Sequence, residues 1–223
     1  ATITTDELGF ARSDDLPLGK YYVVEKETAN GFVLDGEPRD IDLTYRDQDT
    51  PVVTYDSEWQ NSRQKAKVIV TKKEKDSDRT LEGAIFGLFA KEDIKSETTG
   101  KVLIEADEII ELKSTDEEGK ITFVADLPIG ATYYVKELYA PDGFVTNDEV
   151  KEFTFEYVGE NQPTVTYDFT FDNQPTVVEF AKSSLTTGKE LPGCKLKVVD
   201  SDGNIVDEWT SGKEAHVIRE LTV

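Results

Sequence analysis

A lysine, a glutamate and an asparagine recur at matched stations along this chain. Glu25 closes the block Tyr21-Tyr22-Val23-Val24-Glu25, and Glu137 closes Tyr133-Tyr134-Val135-Lys136-Glu137. Gly31-Phe32 and Gly143-Phe144 follow the two blocks. The tyrosine pairs lie 112 positions apart (133 − 21), and so do Asn61 and Asn173 (173 − 61). Lys72 stands nine positions before Leu81-Glu82-Gly83-Ala84, and Lys182 nine before Leu191-Pro192-Gly193-Cys194. An amine, a carboxyl and a carboxamide are the parts of an acyl transfer: nucleophile, proton carrier and acyl donor. Lys72, Glu137 and Asn173 form one complete set. Glu25 and Asn61 lack a lysine, and Lys182 lacks a glutamate and an asparagine.

The elements that must carry these residues read as strands. Lys67-Val68-Ile69-Val70-Thr71, Ile121-Thr122-Phe123-Val124, Thr132-Tyr133-Tyr134-Val135 and the run 164–171 are short and rich in β-branched and aromatic residues. Turn signals separate them, among them Glu118-Gly119, Pro141-Asp142-Gly143 and Asp202-Gly203-Asn204. The expected class is all-β, with tandem β-sandwich modules. Lys91 to Glu108 is polar and rich in Thr and reads as a loop with one short turn. Residues 65–174 make one complete module. Residues 1–64 match its second half, since Thr4-Thr5-Asp6-Glu7-Leu8-Gly9 resembles Ser114-Thr115-Asp116-Glu117-Glu118-Gly119. Residues 175–223 match its first half, up to Leu221-Thr222-Val223 at the station of Leu16-Pro17-Leu18. The chain therefore reads as a slice of a longer array of stiff, quasi-independent units. Its two ends are expected to be less stable than the middle.

Composition narrows the function classes. A formal net charge of −21 argues against nucleic acid or an anionic membrane as a partner. No apolar run is long enough to span a bilayer, so no membrane insertion is expected in this segment. His216 is the sole histidine, which excludes paired-histidine catalysis and multi-histidine metal sites; it reads as a strand residue. Asp200-Ser201-Asp202-Gly203-Asn204 misplaces the glycine for a calcium loop and reads as a hairpin turn. No cofactor or metal site is expected. Cys194 is the only cysteine and reads as a small buried residue. Trp59 and Trp209 read as packing residues in strands.

Val70-Thr71-Lys72 with Leu81-Glu82-Gly83-Ala84, then Tyr133 to Glu137 with Ala140-Pro141-Asp142-Gly143-Phe144, and finally Asn173, resemble the collagen-adhesin B-type domain, also called the SpaA-type isopeptide-forming pilin domain. That family occurs in surface proteins of Gram-positive bacteria. The resemblance implies a sandwich of reversed immunoglobulin-like (prealbumin-like) topology. It also implies a spontaneous isopeptide bond between Lys72 and Asn173, promoted by Glu137, with Glu25 as the equivalent promoter in the partial first copy. Asn61 and Lys182 are then unpaired crosslink equivalents. The first copy has Thr28-Ala29-Asn30-Gly31 where the family has Ala-Pro-x-Gly, so its loop is expected to differ.

Burial explains how such a reaction proceeds. Desolvation disfavours charge on both Lys and Glu, so a neutral amine becomes available. A protonated Glu137 would hydrogen-bond the Asn173 carboxamide oxygen and relay a proton to departing ammonia. Fixed strands supply effective molarities of about 10⁵ M or more. Lys73 beside Lys72 and Asp172 beside Asn173 stay open as alternatives, because strand alternation turns only one of each pair inward.

The resemblance implies a mechanical role and no enzyme beyond one self-crosslinking turnover. The segment would be a stalk of an extracellular, cell-wall-anchored pilin or adhesin, with the anchor outside it. Its partners would be neighbouring domains of the array, other pilin subunits or host extracellular matrix. The rival functions are an adhesion module for a matrix protein or glycan, and spacer domains of a surface carbohydrate-active enzyme.

Overall fold

The computed structural model describes every residue except Glu97, Thr222 and Val223. The expected equivalence at Leu221-Thr222-Val223 thus lies partly outside the described residues. Among the described residues all regular elements are strands, and the chain divides into two compact units: Ala1–Lys65 with Tyr157–Thr164, and Ala66–Glu156 with Val165–Val223.

In the first unit, β1 (Gly19–Val23) and β2 (Arg39–Leu43) form an antiparallel ladder with Tyr21 opposite Ile41. The Tyr21 hydroxyl donates to the Pro17 carbonyl at 2.7 Å. Residues 1–18 carry only a turn, closed by the Asp6 and Phe10 backbones. Gln64 is fully buried, and a buried amide must spend its polar atoms. Its Nε2 donates to the carbonyls of Gly159 (3.0 Å) and Gln162 (2.6 Å), and its Oε1 accepts from Val158 N–H (3.0 Å).

The second unit begins with β3 (Lys65–Glu74, almost all of it in this unit), β4 (Ile85–Ala90), β5 (Ile94–Lys95), β6 (Val102–Ile104), β7 (Ile109–Ser114) and β8 (Lys120–Phe123). It continues with β9 (Thr132–Tyr139), β10 (Val150–Thr154), β11 (Thr164–Asn173), β12 (Val177–Phe180), β13 (Lys195–Val199), β14 (Ile205–Thr210) and β15 (His216–Arg219). A four-stranded sheet, β10-β9-β4-β7, and a three-stranded sheet, β11-β3-β8, enclose the core. Period-2 alternation along β3 turns Ala66, Val68, Val70 and Lys72 inward. Val68, Val70, Phe123 and Phe171 meet Phe86, Leu88, Tyr133 and Val135 across that core. Phe86 and Phe171 pack as a tilted pair with ring centroids 4.9 Å apart. Each such fully buried side chain contributes about 1.5–3 kcal/mol. The architecture is the all-β, prealbumin-like class expected.

The stretch from Lys91 to Glu108, expected as a loop, instead carries the small β5-β6 ladder, with Ile94 buried beneath it and paired to Ile104. Ile94 and Ile104 supply the apolar positions that the polar average concealed. Residues 175–221 form two separate ladders, β12-β15 and β13-β14. They repeat a detail of the middle module. Thr115 Oγ1 donates to Leu81 O (2.8 Å) and accepts from Ala84 N–H (3.0 Å). Ser211 Oγ donates to Leu191 O (2.6 Å) and accepts from Cys194 N–H (2.9 Å). Cys194 is only half-buried where Ala84 is fully buried, because its ladder is a single two-stranded layer. His216 lies on β15 and bonds Asp207 at 2.7 Å. Trp209 lies on β14, whereas Trp59 lies outside any strand, with the Arg39 guanidinium 4.0 Å over its ring. The Asp200 carboxylate is spent on its own turn, accepting from Asp202 N–H and Asn204 N–H.

Candidate functional site

Three strands deliver the middle site. β3 ends its inward face at Lys72, β9 carries Glu137 beyond Tyr133 and Val135, and β11 ends at Asn173. All three side chains sit inside the sandwich: Lys72 is 0% exposed, Glu137 4% and Asn173 1%. The neighbours left open by the sequence turn elsewhere. Lys73 points to Asp78 at 3.5 Å, and Asp172 is exposed.

Inside, the contacts are specific. Lys72 Nζ donates to Asn173 Oδ1 and lies 3.2 Å from Glu137 Oε1. Asn173 Nδ2 donates to the same Glu137 Oε1 at 2.9 Å. Glu137 therefore faces the nitrogen of the carboxamide, not the oxygen expected from the chemistry of a protonated acid. The carboxyl oxygen accepts the amide N–H, and the lysine nitrogen donates to the carbonyl oxygen. Phe86 walls the amine, with Nζ 5.6 Å from its ring centroid. Burial pulls the Lys72 pKa below the ordinary lysine value, with the Glu137 charge opposing it. An amine, its proton acceptor and a carboxamide with its leaving nitrogen already bonded to that acceptor is an arrangement suited to amide exchange.

Sequence reasoning missed Asn147. Its backbone N–H donates to Glu137 Oε2 at 2.7 Å. The signal was present as an offset, because Asp35 N–H donates to Glu25 Oε2 at 2.9 Å, and both donors lie ten positions after their glutamates. It also missed the Tyr133 hydroxyl, which donates to Pro128 O at 2.7 Å and anchors the start of β9, as Tyr21 does in β1.

The first unit brings together Glu25 and Asn61. Asn61 Nδ2 donates to Glu25 Oε2 (2.6 Å) and to Val33 O (3.0 Å). Both side chains are half-buried, and no lysine bonds either of them among the described residues. The loop after Glu25 does not differ as expected. Phe32 N–H closes on Ala29 O at 3.1 Å, as Phe144 N–H closes on Pro141 O at 3.1 Å. Gly31 and Gly143 share a positive φ, 89° and 83°. The glycine sets this turn, so alanine in place of proline leaves it intact. Lys182 is exposed, although Leu191 N–H meets its carbonyl (2.7 Å) as Leu81 N–H meets that of Lys72 (3.0 Å). Lys182 lies two residues past the end of β12 and repeats that backbone contact of Lys72, but neither a carboxyl nor a carboxamide meets its amine among the described residues.

The fold is that of a prealbumin-like β domain. The chain belongs to the SpaA family of prealbumin-like fold domains, whose model matches residues 1–59 and 66–173. Among solved structures it is similar to the Bacillus anthracis TIE protein, at 25% identity and a TM-score of 0.56, over 97% of this chain and 37% of that one. The group B streptococcus pilus 2b backbone protein matches at 19% identity and a TM-score of 0.38, over 73% and 52% of the two chains. The major pilin SpaD from Corynebacterium diphtheriae matches at 22% and 0.34, over 49% and 32%. The chain thus spans about 37% of the TIE protein's length. A comparison with curated proteins gave no match. Among the described residues, no helix is long and apolar enough to cross a membrane.

Proposed function

We propose that this chain is a stalk segment of a Gram-positive cell-surface pilin or multi-domain adhesin, and that residues 65–174 are a module closed by a Lys72–Asn173 isopeptide bond. The observation that carries this reading is the burial of Lys72, Glu137 and Asn173 in mutual contact, with Lys72 Nζ 3.2 Å from Glu137. Desolvating a charged lysine in an all-β core costs several kcal/mol, which its ion pair and hydrogen bonds must offset. Conversion to an uncharged amide removes that cost.

The steps balance as follows. The Lys72 ammonium passes one proton to Glu137 Oε1. The neutral amine attacks Asn173 Cγ, forming the new C–N bond. Glu137 delivers its proton to Nδ2, the Cγ–Nδ2 bond breaks, and ammonia leaves. Of the two protons left on the former lysine nitrogen, one goes to the ammonia, which departs as ammonium, and the other stays as the N–H of the new amide. Glu137 ends as it began. The Asn147 loop borders an open cleft of about 370 Å³ lined by Asp148, Glu149 and Asp172 together with Lys75.

Mechanically, the bond joins the inward end of β3 to the end of β11, 101 positions apart. Pulling on the module would load the covalent bridge rather than the ladders. Its partners would be neighbouring modules of an array and other pilin subunits. Glu25 and Asn61 would form the same kind of centre in their own module once a lysine strand is beside them.

Intact-mass measurement of the folded chain tests the reading. The expected mass is the sequence mass less one ammonia, and peptide mapping should give a branched peptide joining Lys72 to Asn173. A folded chain at its full sequence mass overturns it.

A further inference from the structure

The two oxygens of the Glu137 carboxylate face different partners. Oε1 receives Asn173 Nδ2 and lies beside the Lys72 amine. Oε2 receives the backbone N–H of Asn147 at 2.7 Å. The Asn147 side chain then reaches two ways. Its Nδ2 donates to the Asp172 carbonyl at 3.0 Å, one residue before Asn173. Its Oδ1 accepts the Glu149 N–H at 2.9 Å, capping its own loop. We propose that Asn147 is a positioning residue for the crosslink, tying the Glu137 carboxylate and the end of β11 to one loop so that Oε1 faces both the amine and the carboxamide. This rests on the crosslinking reading above.

The physical argument concerns rotation and register. The last torsion of a glutamate is broad and roughly two-fold, so an unanchored carboxylate samples many orientations. A donor on Oε2 removes that freedom and leaves Oε1 as the oxygen that takes the proton from Lys72. That oxygen already touches the leaving nitrogen. The Nδ2 bond to Asp172 holds the asparagine strand to the same loop, so carboxylate and carboxamide move together. A misplacement of about 1 Å in such a site costs about 10²-fold in rate.

The first unit separates the two tasks of this side chain. Asp35 donates its backbone N–H to Glu25 and accepts Glu37 N–H at 3.3 Å, as Asn147 does at the matching places. An aspartate cannot donate to a strand carbonyl, and Asp35 turns its second oxygen to Arg39 at 2.9 Å. Loop capping is therefore common to both sites, while the tie to the asparagine strand belongs to Asn147.

That contrast dictates the test. Asn147→Asp keeps an acceptor for Glu149 N–H and loses the donor to Asp172; Asn147→Ala loses both. Each is made in the full chain, and ammonia loss is followed by intact mass against time after a short cell-free synthesis. Both variants are expected to react about 10- to 100-fold more slowly than the parent. The same substitutions in a Glu137→Gln background, which cannot crosslink, read the contribution to folding alone, and there Tm should stay close to that of the background. A parental rate in Asn147→Asp overturns the proposal. So does an Asn147→Asp substitution that unfolds the Glu137→Gln background, since the slow rate would then report folding. A parent chain that never loses ammonia overturns the crosslinking reading itself, a separate result.

Discussion

The site at Lys72, Glu137 and Asn173 and the site at Glu25 and Asn61 share a carboxylate, a carboxamide and a backbone donor ten positions on, yet only the first holds an amine. In the first unit, Glu25 Oε2 takes both the Asn61 and the Asp35 donors. In the middle module the same two duties are split, with Oε1 on Asn173 and Oε2 on Asn147. The lysine draws Oε1 into the centre. It also requires a closed core, because an amine beside a half-buried pair would stay hydrated and charged. Geometry of the glutamate and asparagine is thus built locally by strand, turn and loop, while the proposed reaction would depend on the lysine strand and the second sheet.

The largest way to break the comparison is Glu137→Ala, which should make the middle site as unreactive as the first. The chain should keep its full sequence mass. By analogy with a disulfide closing a loop of about 100 residues, loss of the bond should cost about 5 kcal/mol. Melting and trypsin susceptibility of residues 65–174 measure it, and a variant still lighter by one ammonia would show that Glu137 does not promote the bond.

A smaller effect sharpens the contrast through pH. Asn173→Ala leaves Lys72 as a buried amine with its pKa depressed by desolvation. The unfolded chain then binds the proton more tightly than the folded one between that depressed value and the ordinary 10.5. Stability of Asn173→Ala should therefore rise with pH through that window, by at most about 1.4 kcal/mol per pH unit. A parent crosslinked as proposed carries an amide there, which would not titrate, and should lack this rise. Denaturant titrations of both chains at a series of alkaline pH values decide it, and parallel slopes would mean that Lys72 keeps an ordinary affinity for its proton.

The smallest effect belongs to Asn61→Ala. It removes the donor to Glu25 and Val33, two part-buried hydrogen bonds, at about 1–2 kcal/mol. Ammonia loss in the middle module should proceed at the parental rate. Intact mass against time checks this, and a slowed reaction would mean that the two sites are coupled.

Much of this was legible in the residues. The repeat of Tyr-Tyr-Val-x-Glu, Gly-Phe and Asn pointed to the strand class and to a candidate trio that the fold brings together, because a strand's period of two and a glycine's positive φ leave marks in sequence. Asn147 and Tyr133 were not legible by residue type. An asparagine in a loop and a tyrosine in a strand are common, and their value here is a backbone N–H and a hydroxyl aimed at a particular oxygen. The β5-β6 ladder escaped because its few apolar residues are diluted by a polar stretch.

The sequence by itself determined which residue types were available and at what spacing, since local alternation and turn chemistry act over a few positions. Only the tertiary structure decided that Lys72 faces inward while Lys73 reaches Asp78, that Asn173 rather than Asp172 closes β11 inside the core, and that Glu137 meets the carboxamide nitrogen. The reason is that strand pairing sets the face of every residue on a strand at once, and a one-position slip would exchange each of those neighbours. Burial of the amine, and with it the shift away from the ordinary lysine value, exists only when β3, β9 and β11 close over it.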